Sequence, residues 1–519
     1  MYGNEKCSKD SIPEIPVLDK NQGYSIYLCK QVFDRLKSTI FEYCSIGCMD
    51  GLFYLTVHGI LNRILWFILF ILSLIGCYFV TASLFDAREI ITLNEQSTVS
   101  TYDIPFPAVT VCTTIKADHR FVNYPEAYKH ADWGQATEHE QFISVLFKRV
   151  LWQMSSSPHS GNRQLDSEVE NIEERIFNIS IPEKSLIPNC TFNKEKCDWS
   201  RILTPEGVCY SFNLLSSEDM FLHDRHQQYI TKKNRVYNWN LIDGYENSRY
   251  DAYPFRGFID NILHFRLQIN LLDTINSKTP NNGFKIYIGH PVDYPYLEDT
   301  SVFIPLNVET TLSITPDIMT ASDELKYYSL KNRQCLLKKD NWTRMDTFRE
   351  YSMNNCRLEC IAKKTVQNCE CTPFYVPSIS RNHTCGMKLR DNIYCYHYAI
   401  SDRFIRDTIS IQLMEYNNLI CKCIPACSTI TYNVQEITKS VIPASNETDI
   451  QFCDITVKFS SNEFIPKRRQ ESYSVLDVMS AIGGTLGLFV GASVMSVIEV
   501  FYYFSIKIII NLLTISSKE

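Results

Sequence analysis

The chain has 519 residues, of which 45% are hydrophobic and 21% are charged. This composition excludes an intrinsically disordered chain, which combines low hydrophobicity with high net charge. The 51 basic and 58 acidic side chains give a net charge of −7. We expect no nucleic acid as a partner, because proteins that bind it neutralise phosphates with an excess of basic residues.

The first predicted element is a membrane-spanning helix near the N-terminus. Residues 64–85 carry no charge and are rich in Leu, Ile and Phe. About 20 such residues cross a bilayer as an α-helix. A signal peptide would begin earlier and be shorter, so residues 1–63 are expected to form a retained N-terminal tail.

A second apolar run lies between Asp477 and Lys507 and is interrupted only by Glu499. It predicts a second transmembrane helix over 477–506. Two spans would place residues 86–476 on one side of the membrane. The tails, 1–63 and 507–519, would lie on the other side, and the basic residues of the first tail favour a cytosolic location for both.

Two features indicate that residues 86–476 are extracellular. Most of the 20 cysteines lie in this segment, a density typical of an oxidising compartment. All the Asn-x-Ser/Thr glycosylation motifs lie there too. They are Asn178, Asn189, Asn341, Asn382 and Asn446. The sequence therefore predicts a two-pass protein of the plasma membrane.

The extracellular segment is expected to combine strands with helices. An extended entry into a strand is predicted at 101–113, and strands are predicted at 284–288 after an Asn-Asn-Gly turn and within 301–335. Residues 118–180 and 215–250 are expected to be helical.

The densest group of cysteines lies between residues 335 and 430. Cys356 and Cys360 are four residues apart, a spacing that places both on one face of a helix. Close pairs such as Cys369 and Cys371 could instead bind a metal ion, but an oxidising compartment favours disulfides. We expect a helical subdomain stapled by disulfides and no metal site. The odd number of extracellular cysteines leaves at least one unpaired, and Cys453 is the candidate.

The second apolar run is unusually rich in small residues. Gly483, Gly487 and Gly491 recur every four residues, a spacing that allows helices to pack closely. Ser480, Gly484, Gly487 and Gly491 share a face that could line a narrow path, with backbone carbonyls exposed nearby. The pattern favours a pore but leaves helix packing open.

Glu499 is costly in lipid unless it faces water or a partner. On an ideal helix it lies about 80° from Gly491. An unwound turn at Gly491 to Ser493 would bring both residues to one aqueous path.

Several motifs together resemble those of the degenerin/epithelial sodium channel superfamily, which includes the acid-sensing and insect pickpocket channels. The resemblance covers nearly the whole chain. Phe501 to Phe504 further resembles the pickpocket branch. The other motifs are Phe106-Pro-Ala-Val-Thr-Val-Cys112, Gly207 to Asn213, Cys356-Arg-Leu-Glu-Cys360, Cys421-Lys-Cys423, Gly483-Gly484 and Gly491-Ala-Ser493 with Glu499.

The resemblance implies an α+β membrane protein whose two transmembrane helices flank a disulfide-rich extracellular domain with a β-sheet core and peripheral helices. It implies a homo- or heterotrimer of related subunits in the bilayer, which conducts Na⁺ passively and is blocked by amiloride. Gly491, Ala492 and Ser493 would form the selectivity filter, and a bulky residue at Ser480 would hold the pore open. Gating would be by an extracellular ligand, acid or mechanical force, and no cofactor is implied.

The resemblance also implies seven disulfides and leaves Cys453 free. The implied pairs are Cys112 with Cys209, Cys190 with Cys197, Cys335 with Cys427, Cys356 with Cys423, Cys360 with Cys421, Cys369 with Cys395, and Cys371 with Cys385.

The sequence departs from the family pattern in two places. The family has a His-Gly pair in the N-terminal tail that is needed for gating. His58-Gly59 has these letters but lies too close to Trp66, whereas Asp50-Gly51 lies near the expected distance, and we favour Gly51 as the equivalent. The family's acidic residue before the Gly-Gly pair is Ala481 here.

Two other functions compete with that of a channel subunit. A non-conducting receptor, or an auxiliary subunit of a heteromeric channel, would use the glycines only for packing. An extracellular enzyme is not expected, because the sequence has no His-Glu-x-x-His, Gly-x-Ser-x-Gly or phosphate-binding loop.

Overall fold

The computed structural model describes residues 33–45, 59–86, 90–121, 172–222, 239–241, 244–245, 253–271, 282–295, 301–340, 345–376, 383–384, 423–441 and 449–510. The chain divides into two compact units. The terminal unit is Met1–Glu89 with Glu471–Glu519, and the central unit is Ile90–Gln470.

The central unit is built on a large and a small β-sheet. Seven strands of the large sheet follow one another in the order β1 (Ile90–Asn94), β19 (Lys467–Glu471), β13 (Val308–Ala321), β17 (Ile450–Phe459), β10 (Leu263–Asn270), β4 (Asn189–Phe192) and β5 (Glu195–Lys196). An eighth strand, β16 (Thr429–Val441), also pairs with β13. The small sheet has the order β12 (Ser301–Pro305), β11 (Gly283–Gly289), β3 (Ala108–Thr113), β7 (Gly207–Phe212) and β6 (Ser200–Thr204).

Three short strand pairs and nine helices complete the described elements. The pairs are β2 (Val99–Ser100) with β18 (Glu463–Phe464), β8 (Trp239–Asn240) with β9 (Gly244–Tyr245), and β14 (Cys371–Thr372) with β15 (His383–Thr384). The helices are α1 (33–45), α2 (Ile60–Asp86), α3 (Ile172–Ile179), α4 (Glu183–Leu186), α5 (Ser217–Met220), α6 (Leu330–Arg333), α7 (Met353–Cys369), α8 (Val475–Val490) and α9 (Val494–Phe501). A π-helix, Tyr502–Lys507, continues α9, and single 3-10 turns lie at Thr101–Asp103 and Asp323–Tyr327.

The two sheets pack face to face. Apolar residues alternate along β10, so that Leu263, Phe265 and Leu267 point into the core while the intervening polar residues point outward. On the outer face Arg266 donates to Asp454 of β17 through two hydrogen bonds of 2.7 and 2.8 Å. The inward residues meet side chains of the small sheet, including Val109, Val111, Phe212, Phe284 and Ile286.

The small sheet is covered on both faces. Ala108 and Cys112 of β3 belong to a second core, together with Leu358 and Ala362 of α7. All six residues of β3 are buried. A strand with both faces covered needs an unbroken run of apolar and β-branched residues, which explains the Ala-Val-Thr-Val-Cys-Thr sequence.

Helix α7 carries the two cysteines spaced four residues apart. It begins at Ser352, whose hydroxyl accepts a hydrogen bond of 3.0 Å from the amide of Asn355, and it ends at Glu370 in the left-handed conformation. Cys356 and Cys360 both lie in this helix, so the prediction of a helical segment there is confirmed.

Four of the seven implied disulfides are present in the structure: Cys112 with Cys209, Cys190 with Cys197, Cys335 with Cys427, and Cys356 with Cys423. Cys360 and Cys371 are also disulfide-bonded, and their implied partners, Cys421 and Cys385, lie outside the described residues. Cys395 lies outside them too, and the side chain of Cys369 is not described. Cys453 is a free thiol and fully buried, as the odd count of cysteines required.

The predictions of strands are mostly confirmed, whereas one predicted helical region is wrong. The strands at 284–288 and 301–321 are confirmed as β11, β12 and β13, although 322–335 is helical or irregular. The prediction that 215–250 is helical is confirmed only for α5. It is wrong for Trp239–Asn240 and Gly244–Tyr245, which pair as antiparallel strands. Most of 118–180 lies outside the described residues, as do the motifs at Asn341, Asn382 and Asn446; Asn178 and Asn189 are exposed.

Truncating Phe265 should destabilise the protein strongly, because its ring is fully buried between the two sheets. We expect Phe265→Ala to cost about 3–5 kcal/mol. The measurement is the thermal unfolding midpoint of the full-length protein in detergent. Phe121→Ala is the matched control, since that ring is 57% exposed. Equal midpoints for the two variants would contradict the assigned core.

The thiol of Cys453 should be unreactive in the folded protein, because burial raises the pKa of this thiol and the thiolate is the reactive form. With an impermeant maleimide on intact cells, we expect equal labelling of the wild type and Cys453→Ala. After denaturation without reduction, the wild type should carry one label more. Stronger labelling of the wild type on intact cells would show an accessible Cys453.

Candidate functional site

The terminal unit contains one long apolar helix. The stretch Ile60–Ser83 of α2 is the single helix among the described residues that is long and apolar enough to cross a membrane by itself. Large apolar side chains such as Leu61, Leu72 and Phe79 are exposed along it. The helix begins four residues before the predicted span of 64–85.

The second apolar run, for which a transmembrane helix over 477–506 is predicted, is not one continuous helix. It forms two helical segments, Val475–Val490 and Val494–Ile510, that meet at an angle of 80°. Only residues 491–493 separate them. Together they satisfy the length and composition of a broken span or a re-entrant loop. The unwound turn at Gly491 to Ser493, which the angle between Gly491 and Glu499 suggests, is therefore present.

The first helix of this pair ends because of Gly491. This residue has a φ of 67°, in the left-handed region where residues with a Cβ are strained and glycine is not. Its amide donates to the carbonyl of Gly487 at 3.0 Å, and the amide of Ala492 donates to that of Leu486 at 3.3 Å. A glycine in this conformation is a common helix terminator.

The second helix of the pair starts immediately because of Ser493. Its hydroxyl accepts a hydrogen bond of 3.3 Å from the amide of Ser496, and the hydroxyl of Ser496 accepts one of 3.2 Å from the amide of Ser493. This reciprocal cap satisfies two amides that the first helical turn would leave without partners. The helix stop at Gly491 and the helix start at Ser493, two residues later, thus produce the bend.

The bend leaves backbone carbonyls available. Within the described part of the chain, the carbonyls of Val490, Gly491 and Ala492 accept no backbone hydrogen bond. Such groups occur at membrane depth only where protein covers them or where they line a water-filled cavity. The bend is therefore the chemically distinctive point of an otherwise apolar segment.

The small residues before the bend form an open face. Ser480, Gly483 and Gly484 are exposed in the single chain, and a Cβ added at either glycine would meet no other atom within 4 Å. At Gly487 an added Cβ would lie 3.6 Å from the carbonyl oxygen of Ala492. Glu499 is half-buried on the helix after the bend. This face is compatible with a pore and with packing against another subunit.

The candidate gating residues of the N-terminal tail lie largely outside the described residues. Asp50, Gly51 and His58 are outside them. Gly59 precedes α2, and its carbonyl accepts a hydrogen bond of 3.1 Å from the amide of Arg63.

The structure shows a contact between α1 and the end of the second apolar run that no sequence pattern predicts. Lys507 forms an ion pair of 2.5 Å with Glu42 and lies 4.7 Å from the ring centre of Tyr503. The ring of Tyr43 packs against Tyr503 and Phe504 at 5.4 and 5.7 Å. Glu42 and Lys507 are 465 residues apart, and no local pattern links them.

The central unit contains an open cavity of about 510 Å³. Its walls include Glu95, Asp103 and the rings of Tyr102 and Tyr245. The guanidinium of Arg256 lies 4.6 and 4.0 Å from the centres of these two rings. The chain's own cation therefore already occupies the ring faces that an organic cation would use.

A half-buried carboxyl in the central unit, that of Asp293, has a raised pKa. Burial raises the pKa of Asp293 to about 6, although hydrogen bonds from Ser352 and Asn354 oppose the shift. The Asn354 bond measures 3.3 Å. Burial also lowers the pKa of nearby His290 to about 3, so this imidazole is neutral at pH 7 and Asp293 takes up a proton in mild acid.

Comparison with known proteins gives one consistent family. The sequence profile described as "Amiloride-sensitive sodium channel" matches residues 43–503. Pickpocket protein 28 of Drosophila melanogaster is 23% identical, over 97% of this chain and 83% of its own length. Sodium channel protein Nach of Drosophila ananassae is 24% identical, over 91% and 87%. Acid-sensing ion channel 2 of Mus musculus is 21% identical, over 93% and 89%.

The matched profile covers well over half of the chain, including α2, both β-sheets and the bend at Gly491 to Ser493. The family consists of membrane ion channels with a large, β-rich extracellular domain, which agrees with the sheets and disulfides of the central unit. The chain belongs to the amiloride-sensitive sodium channel family.

Proposed function

We propose that this chain is a pore-forming subunit of a plasma-membrane channel that conducts Na⁺ passively and is blocked by amiloride. The observation that carries the proposal is the interruption of an apolar helix at Gly491 to Ser493, in a chain of the sodium channel family. A structural anchor would need no such interruption, whereas an ion path needs polar groups at membrane depth.

The proposed topology has two passes, one by α2 and one by α8 with α9. Residues 86–476 would then be extracellular, and 1–63 and 507–519 cytosolic. The disulfides of the central unit support this orientation, because such bonds persist in oxidising compartments. The exposure of Asn178 and Asn189 is also compatible with glycosylation.

The proposed filter consists of Gly491, Ala492 and Ser493. Backbone carbonyls at this point could replace part of the hydration shell of Na⁺. In the trimer that the family resemblance implies, three copies of the segment around an axis would multiply the few oxygens that one chain offers. The exposed face of Ser480, Gly483 and Gly484 would face this axis. Glu499 would lie on the aqueous path beyond the filter.

The proposed gate includes Ser480, and the partners of the chain are related subunits and the lipid bilayer. The stimulus belongs to a class that acts on the extracellular domain, namely a ligand, acid or mechanical force. An acid stimulus is compatible with the raised pKa of Asp293, about 6. The permeant Na⁺ is the transported ion, and the function needs no cofactor.

Replacing Ser480 by valine should open the channel without its stimulus, because a larger side chain on this face keeps the second helices apart. In oocytes we expect a steady, sodium-selective current that amiloride blocks. Met479→Val is the matched control. It places valine at the neighbouring position, about 100° around the helix, and should leave the channel closed.

Surface biotinylation accompanies both recordings. Absence of current from Ser480→Val at normal surface density, alone and together with related subunits, would contradict the proposal. The result would favour the non-conducting receptor or auxiliary subunit instead.

A further inference from the structure

The carbonyl of Phe489 has a partner outside its own helix. Phe489 is the second-last residue of α8, and the last four carbonyls of a helix lack intrahelical partners. The hydroxyl of Ser73, on α2, donates a hydrogen bond to this carbonyl. The two residues are 416 positions apart and belong to the same compact unit.

Ser73 differs in this respect from the other hydroxyl residues of α2. The hydroxyl of Thr81 donates to the carbonyl of Cys77 at 2.9 Å, and that of Ser83 donates to Val80 at 2.8 Å. Both bonds stay within α2, as is usual for serine and threonine in helices. The bond of Ser73 instead joins α2 to the end of α8.

The ring of Phe489 is held by the same face of α2. Gly76 lies one turn after Ser73, and residues three apart share a helix face. A Cβ added at Gly76 would lie 2.8 Å from Cε1 of Phe489, so that even an alanine would displace the ring. This face is half-buried at both positions, whereas Ile75 on the opposite side is exposed.

We propose that Ser73 and Gly76 are positioning residues for ion selection. They hold the carbonyl and the ring of Phe489, two residues before Gly491, and thereby fix where the chain enters the Gly491 to Ser493 turn. The inference rests on the proposed function, since it assigns a role in the filter of that channel. Neither residue touches the ion itself; both act through Phe489.

The test is the ratio of Na⁺ to K⁺ permeability, measured from reversal potentials in Ser480→Val channels. Adding Ser73→Ala should lower the ratio by at most about threefold, the factor that corresponds to the whole free energy of one average interhelical hydrogen bond in a membrane. Ser73→Thr keeps the hydroxyl and should preserve the ratio. Ser83→Ala is the matched control, because it removes a hydroxyl that bonds only within α2.

Gly76→Ala provides a second, independent variant that leaves Ser73 intact. It should also lower the Na⁺ to K⁺ permeability ratio. If Ser73→Ala does not reach the cell surface, Gly76→Ala alone tests the positioning role. An unchanged ratio in either variant at normal surface density would overturn the inference while the proposed function stands. A Ser480→Val parent without sodium current would remove the proposed function, and this inference with it.

Discussion

The constraint on which the rest of the terminal unit depends is the backbone of Gly491. A positive φ at this residue stops one helix, and the cap formed by Ser493 starts the next two residues later. In water the freed carbonyls would be solvated, but in an apolar segment each needs a partner or an aqueous path. The hydroxyl of Ser73 supplies one partner. Among the described residues, the carbonyls of Val490, Gly491 and Ala492 accept no backbone hydrogen bond, and in the proposed channel they would face the aqueous path.

The central unit is stabilised by buried apolar surface and by disulfides. Its small sheet is buried on both faces, between the large sheet and a layer that contains α7. The bond between Cys112 and Cys209 joins β3 to β7 within that sheet, and the bond between Cys356 and Cys423 ties α7 to the segment before β16. Burial of the small sheet on both faces and the disulfides together stabilise the central unit.

Local signals made some of these features predictable from the sequence. Gly491 and Ser493 are a helix stop and a helix start, and the four-residue spacing of Cys356 and Cys360 fixed their helix. The length of the second apolar run predicts a helix over 477–506, but it says nothing about the path of the backbone, which bends by 80° between Val490 and Val494. The contacts of Ser73 with Phe489, and of Glu42 with Lys507, could not be predicted, since they join residues more than 400 positions apart.

Metal block at Ala492 tests most directly whether the turn after Gly491 lines the sodium path. In Ser480→Val channels carrying Ala492→Cys, external Cd²⁺ should block the current, because thiolates that converge in a narrow path bind soft divalent ions. Ile75→Cys, on the exposed side of α2, should leave the current insensitive. A sodium current through Ala492→Cys channels that persists unchanged in Cd²⁺ would contradict a path at Gly491 to Ser493.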